Sequence, residues 1–390
     1  MRGSTDVVRI KRGRRLSDEF FWKGRFGKGG IELPCRHYAD TLRILWFPTM
    51  QLTRCNTRKI VNSQQRPVKT PTTPYGYAAI VLMLAFHASA QNYPAKPVRF
   101  VVPFAPGGSA DILARSLSQR LSEALGQPIV IDNRGGAGGA IGAELAAKSP
   151  PDGYTVLFTT NGPVTVSQSL QRKIGYDPLR DLVPVTIVAS LPNMLVMHPS
   201  LPAQSVKDVV ALAKARPGQI TYASGGPGAS NHLAAELLKY MAKIDLVHVP
   251  YKGGGPAAIA VLTGECALLF ATMPSALGHV KTNRLKALAV TSDRRSPAAP
   301  EVPTIAESGV PGYEMTSWVG ILLPAGTSPG IVSRLHREAG KAVQFPEVRN
   351  RLSSEGYEIV MNTPEQMEQR MRGEAAKWAN VIKAAGITAD

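Results

Sequence analysis

The stretch Phe104 to Asp111 (FAPGGSAD) constrains this 390-residue chain most, because it joins a strand pattern to a helix pattern through two glycines. Upstream, Val98 to Pro103 (VRFVVP) is β-branched and uncharged after Arg99, as a short buried strand requires. Downstream, Ile112, Leu113, Leu117, Leu121 and Leu125 recur at helical spacing, with Arg115, Gln119, Arg120 and Glu123 between them. The glycines therefore sit on a strand-to-helix turn. There Gly107 and Gly108 let a ligand approach the backbone, and the first N–H groups of the helix lack internal partners. The turn fits two readings, a seat for an anion or a tight turn in which Ser109 caps the helix.

The same design recurs along the chain. Pro128 to Ile131 and Thr155 to Thr160 read as further strands, the first leading into the glycine run Gly135 to Gly142 and the second ending at Asn161-Gly162. Strands separated by helices predict parallel β-α-β units in a doubly wound α/β domain, whose ligands gather outside the carboxyl ends of the strands. Phe104 to Ser109 and Thr159 to Gly162 both lie at such ends. A second set begins near Pro199, with a helix over Ser205 to Ala215 and a strand over Ile220 to Ser224. That strand enters the turn Gly225 to Asn231 (GGPGASN), which opens a helix from His232. Leu246 to Pro250 and Leu285 to Thr291 are strands, followed by the proline-rich passage Pro297 to Pro311 and the apolar stretch Ser317 to Leu323 (SWVGILL). Helices over Pro329 to Val343, Pro346 to Ser354 and Pro364 to Ala385 are expected to return to the first domain. Two glycine-lined helix starts in two α/β sets imply a cleft that grips one ligand from both sides.

The net charge of +17 invites a nucleic-acid reading, but its location argues otherwise. Residues 1 to 90 carry 16 Lys and Arg against 5 Asp and Glu, so +11 of the charge lies there and +6 on the rest. Arg66 and Lys69 precede the apolar run Tyr77 to Phe86, and Ala88-Ser89-Ala90 completes the pattern of a signal peptide, here 66–90, cleaved after Ala90. Ten apolar residues make about 15 Å of helix, too short for a permanent span. Residues 1–65 are read as a non-native or disordered basic extension, with a nucleic-acid-binding arm as the alternative. Of the three cysteines, only Cys266 lies beyond the leader, where it is expected to be a small core residue.

Enzyme signatures are missing. Counted from Gly136, the glycine run has Gly138 but Ile141 where a dinucleotide fingerprint needs its third glycine. No P-loop, G-x-S-x-G or H-E-x-x-H pattern occurs. His232 and Glu236 share a helical face and are expected to form a surface pair rather than a metal site. His198, His248, His279 and His336 are isolated and are read as structural.

Over residues 93 to 387 the chain resembles the Bug family, the extracytoplasmic solute-binding receptors of tripartite tricarboxylate transporters. The stretches that carry the resemblance are Tyr93 to Asp111, Ile129 to Thr155 (IVIDNRGGAGGAIGAELAAKSPPDGYT), Leu246 to Ala257, Met273 to Leu277, Leu285 to Glu314 and Leu322 to Pro329. The resemblance implies a type II-like, two-domain periplasmic binding protein fold with two interdomain crossovers and the ligand in the cleft. The division expected is 91–197 plus 318–390 for domain 1 and 198–317 for domain 2. It implies a monomer in the periplasm that captures a small organic carboxylate, a di- or tricarboxylate or an aromatic acid, and delivers it to membrane permease components. No cofactor, metal or nucleic-acid partner is implied. An α/β enzyme acting on a carboxylated substrate, or a sensor without transport, are the alternatives. By resemblance, main-chain groups hold the carboxylate at Phe104, Gly107, Gly108 and Ser109, with Thr160 and Asn161 beside them and Ser224, Gly228, Ser230 and Asn231 facing from domain 2. One departure stands out: the family commonly has an acidic residue after the phenylalanine that precedes PSAL, and here Ala271 follows Phe270. If that position faced the cleft, a partner for an amino group would be missing. Asp111, which would repel an anion if aimed inward, is expected to cap or orient the turn.

Overall fold

The computed structural model describes residues 21–26, 29–34, 93–170 and 174–389. The expected signal peptide and its cleavage point lie outside the described residues. The chain falls into two compact units, Met1–Pro71 and Thr72–Asp390. In the first, strands β1 (Phe21–Phe26) and β2 (Gly29–Pro34) pair antiparallel, with Phe21 opposite Pro34.

The second unit begins with β3 (Val98–Val102), which feeds α1 (Ser109–Leu125) through the first glycine turn. Gly126 ends α1 at φ 70°, a left-handed conformation that costs glycine nothing. There follow β4 (Ile129–Asn133), α2 (Ala140–Ala147), β5 (Thr155–Thr160) and the short helices α3 (Gly162–Thr165) and α4 (Ser167–Leu170). Next come β6 (Leu182–Met197), α5 (Val206–Ala215), β7 (Thr221–Ser224) and α6 (Ser230–Ala242). The chain continues through β8 (Val247–Pro250), α7 (Gly254–Leu262), β9 (Leu268–Thr272), α8 (Met273–Lys281) and β10 (Lys286–Val290). It closes with β11 (Thr316–Pro324), α9 (Pro329–Gln344), α10 (Pro346–Ser354), β12 (Glu358–Ile359) and α11 (Pro364–Ala385).

All ten strands of this unit form one sheet, ordered β4-β3-β5-β11-β6-β9-β7-β8, with β10 and β12 also pairing β6. The pairs β3-β4, β3-β5, β7-β8 and β7-β9 are parallel, as the alternating strand and helix patterns predict. The long strand β6 is the seam. Its residues from Leu182 to Pro192 pair with β11, and from Asn193 onward it pairs with β9 instead. The return from β10 to β11 makes the second connection between the two halves of the sheet. These two crossings bring the carboxyl ends of β3 and β5 to face those of β7 and β9.

Each half has its own apolar packing. In the first, α1 buries Leu113, Leu117 and Leu121 with Phe100 and Phe158 of the sheet and Leu335, Ala339 and Val343 of α9. Each fully buried side chain of Val, Leu or Phe size is worth about 1.5–3 kcal/mol. In the second half, Leu195 and Met197 of β6 and Leu268 and Phe270 of β9 pack with Leu233 and Ala234 of α6. The opposite face of the same strands, Met194, Val196, Leu269 and Ala271, packs with α7 and α8. Helix α11 spans both groups: Met367 and Met371 are buried with Trp318, whereas Trp378 and Ile382 are buried with the α6 core. Cys266 is 1% exposed in the core, as expected for a small apolar residue. Among the described residues no helix is long and apolar enough to cross a membrane.

Candidate functional site

The four helices α1, α6, α7 and α8 all begin at one place between the halves of the sheet, where they line a partly open cavity of about 30 Å³. The first half contributes Phe104, Gly108, Ser109, Ala110 and Thr160. The second contributes Gly225, Ala229, Ser230, Asn231, Gly254 and Thr272. None of these carries a charge. The polarity comes from the helix starts, whose leading N–H groups have no intrahelical acceptor and whose aligned dipoles favour an anion. The cap of α1 is Gly108 in extended conformation and no side chain caps it; Ser109 is the first helical residue, not the cap. One lining side chain is unpartnered: Thr160 is 5% exposed, and its Oγ1 has no hydrogen-bond partner among the described residues. An orphan of this kind costs about 1–3 kcal/mol.

The turns from the two halves touch backbone to backbone. The Ala105 N–H donates to the Lys252 carbonyl at 2.9 Å. A methyl group on Gly255 would meet the carbonyl of Pro106, and one on Gly226 would stand 2.7 Å from the Gly138 nitrogen. Glycine is thus required here by close approach between halves, and the arrangement is a closed one.

A layer of side chains fixes each turn from behind. Asp111 Oδ2 accepts the Gly107 N–H at 3.0 Å, while its Oδ1 accepts from Arg115 and from Asn133 Nδ2. Burial pushes the Asp111 carboxyl up, but the hydrogen bonds from Arg115, Gly107 and Asn133 outweigh it and hold it below the usual carboxylate range. The aspartate therefore orients the turn and does not face a ligand. Asn133 Nδ2 also donates to the Phe104 carbonyl at 3.0 Å, and the buried Tyr357 hydroxyl donates to the Ser109 carbonyl at 2.6 Å. Ser317 donates to Asn161 Oδ1 at 3.0 Å, and Tyr176 donates to the Pro163 carbonyl. In the second half Asn231 Oδ1 accepts the Gly225 N–H at 2.9 Å, Ser224 Oγ accepts the Gly226 N–H at 3.0 Å, and His232 Nδ1 accepts the Gly228 N–H at 3.2 Å.

Of the residues singled out from sequence, Phe104, Gly108, Ser109, Thr160, Ser230 and Asn231 line the cavity. Gly107, Asn161, Ser224 and Gly228 stand one step back, holding or held by the turns. Sequence reasoning passed over Gly225, Gly254 and Thr272 as individual residues. Gly225 lies inside the legible turn GGPGASN and Gly254 inside the stretch Leu246 to Ala257, whereas Thr272 had only the following Met273-Pro274 to mark a helix start. Two expectations need correction. Ala271 faces the α7 and α8 core at 1% exposure and does not line the cavity, because strand alternation turns Thr272 there instead. His232 and Glu236 are no surface pair: His232 is 1% exposed and packs 4.5 Å from the His248 ring, while Glu236 binds the Tyr222 hydroxyl and Lys239. The third glycine of GGPGASN, Gly228, needs an internal acceptor, and the buried imidazole supplies it. His248 in turn meets Ser224 Oγ at 2.5 Å. Among the described residues no cluster of His, Cys, Asp or Glu could hold a metal ion. A larger depression of about 420 Å³, bounded by the Ser296–Ala298 loop, Tyr357 and Met361, shares no residue with the cavity at the glycine turns.

Comparison with known proteins gives this geometry a context. The family model described as tripartite tricarboxylate transporter family receptor matches residues 113–387. Protein BugT of Bordetella pertussis is 40% identical over 304 residues, 78% of this chain and 93% of that protein. Among solved structures, Rpa4515 of Rhodopseudomonas palustris with adipate is similar at 38% identity and a TM-score of 0.73, covering 76% of this chain and 99% of that one. MatC (Rpa3494) of the same organism with bound malate is similar at 30% identity and a TM-score of 0.72, covering 74% and 100%.

Proposed function

Since the chain belongs to the tripartite tricarboxylate transporter receptor family, with the two-domain periplasmic binding protein fold, we propose that it captures a small organic carboxylate between its lobes and hands it to membrane permease components. The observation that carries this reading is the convergence of four helix starts on an uncharged cavity that contains the unpartnered hydroxyl of Thr160. A carboxylate supplies acceptors for the leading N–H groups and for Thr160 together. Phe104, Gly108, Ser109, Thr160, Ser230 and Asn231 would contact it; Gly107, Asn161, Ser224 and Gly228 would hold the turns that do.

The two lobes follow the division 91–197 with 318–390 and 198–317, except that Met194 to Met197 and the Trp378 and Ile382 end of α11 pack with the second, so the switch of β6 at Asn193 acts as one of the hinges between them. Closure gains ligand contacts from both lobes at once, which is the differential affinity a conformational change requires. The family and fold are those of non-enzymatic receptors, and the cavity lining offers no acid, base or activated nucleophile. Similarity to proteins solved with adipate and malate supports aliphatic di- or hydroxycarboxylates as the first ligands to try.

A thermal-shift titration of the purified protein with malate, adipate and the corresponding diamides tests the reading. A ligand at about 100 times its Kd adds about 2.7 kcal/mol. Stabilisation by an acid and not by its diamide is expected; equal responses to both would remove the anion from the account. For the location, protein recovered from the periplasm is expected to begin at Gln91, and an uncleaved leader would contradict it.

A further inference from the structure

Among the described residues Asn193 stands out as a buried amide with both polar atoms unpartnered. It is fully buried, and neither Oδ1 nor Nδ2 has a hydrogen-bond partner among the described residues. Its backbone is well held, since its N–H donates to Thr291 Oγ1 at 2.8 Å and its carbonyl accepts from Thr291 N–H at 2.9 Å. Only the side chain is orphaned, and an unpaired buried amide carries a desolvation penalty that an apolar residue would avoid.

Its direction follows from strand alternation. Leu195 and Met197 of β6 face the α6 core, so Asn193, two residues before Leu195, ends the same row. Across the ladder Asn193 stands directly opposite Thr272, which is two residues after Phe270 of that same core. Directly opposed side chains lie on one face, with Cβ atoms about 4.5–5.5 Å apart. Thr272 lines the cavity. Asn193 is not itself among the lining residues but stands beside one that is, at the point where β6 passes from one lobe to the other and on the face that packs against α6.

We propose that Asn193 is a specificity-determining residue that reads a second polar group of the ligand, beyond the carboxylate held at the helix starts. Its amide offers donors to an oxygen and one acceptor to a hydroxyl, so the ligand class is a two-ended acid, a dicarboxylate or hydroxycarboxylate, and not a simple monocarboxylate. A site built to hydrogen-bond a ligand group rejects the analogue that lacks it, because the protein group is then left unpaired. This inference rests on the carboxylate reading above.

The test compares wild type with Asn193→Leu by calorimetric titration of adipate against hexanoate and malate against butyrate, with the melting temperature of each ligand-free protein. Wild type is expected to prefer each two-ended acid by at least about tenfold. Asn193→Leu is expected to lose most of that preference, to keep its hexanoate affinity and to melt no lower than wild type. If Asn193→Leu does not fold, Asn193→Val, which suits a strand and carries no polar group, makes the same comparison. An unchanged preference in the variant would overturn the inference and leave carboxylate binding standing, with Asn193 a structural or hydrated residue. Absence of binding by wild type to all four acids would overturn both.

Discussion

The Gly107 N–H donates to Asp111 Oδ2 at 3.0 Å, so a carboxylate that sits within one helical turn of the proposed ligand site is occupied in shaping the glycine turn. Asp111→Ala removes this bond and the partner of Arg115 together, and is expected to destabilise the protein by about 1–3 kcal/mol and to weaken carboxylate binding. The pH dependence has a definite sign. The folded carboxyl titrates below its unfolded value, so its contribution is fully present above about pH 4 and is lost as the pH falls through the folded value. Urea melts of wild type and Asp111→Asn should therefore differ at neutral pH and converge under strong acid; a gap that widens on acidification would refute the assignment.

Gly255 is a cleaner probe of closure than the other glycines. Its backbone is not left-handed, it lies in the first turn of α7, and the atoms a methyl group would meet, on Pro106 and Gly107, belong to the other lobe. Gly255→Ala should keep the melting temperature of the ligand-free protein, since alanine favours a helix, yet raise the Kd by at least about tenfold. Small-angle scattering should then show no compaction on adding ligand. Normal affinity with normal compaction would mean that the closed contact is not part of binding.

Much of this was legible in the sequence because the glycine turns are local. Strand, turn and helix start follow one another within a dozen residues, and each turn carries its own φ requirement, so Phe104 to Ser109 and Ser224 to Asn231 declared themselves. What the sequence hid is non-local. Strand β6 is buried on both faces and contains Pro184 and Pro192, so it shows neither alternation nor a proline-free run. Pro192 is followed by the switch from β11 to β9, the place where a missing N–H interrupts one ladder as the next begins. Tyr357, 248 residues from Ser109, could not be connected with it by spacing. His232 looked like half of a surface pair because an i, i+4 relation says which residues share a face and not which way that face looks.

Thr160→Val tests whether the orphan hydroxyl serves the ligand. The two side chains are nearly the same size, and removing an unpaired buried hydroxyl should leave the ligand-free protein as stable or up to about 1–3 kcal/mol more so. Carboxylate affinity should fall meanwhile, by calorimetry. A variant that loses stability and retains affinity would place the hydroxyl in the scaffold alone.

The most direct measurement is an amide chemical-shift titration of the 15N-labelled protein with malate and with adipate. The largest changes are expected on the N–H groups of Gly108, Ser109, Ala110, Ser230 and Asn231, moving together at one ligand concentration. Saturable binding with shifts confined to the depression around Tyr357 and Met361, and silence at the helix starts, would contradict this expectation.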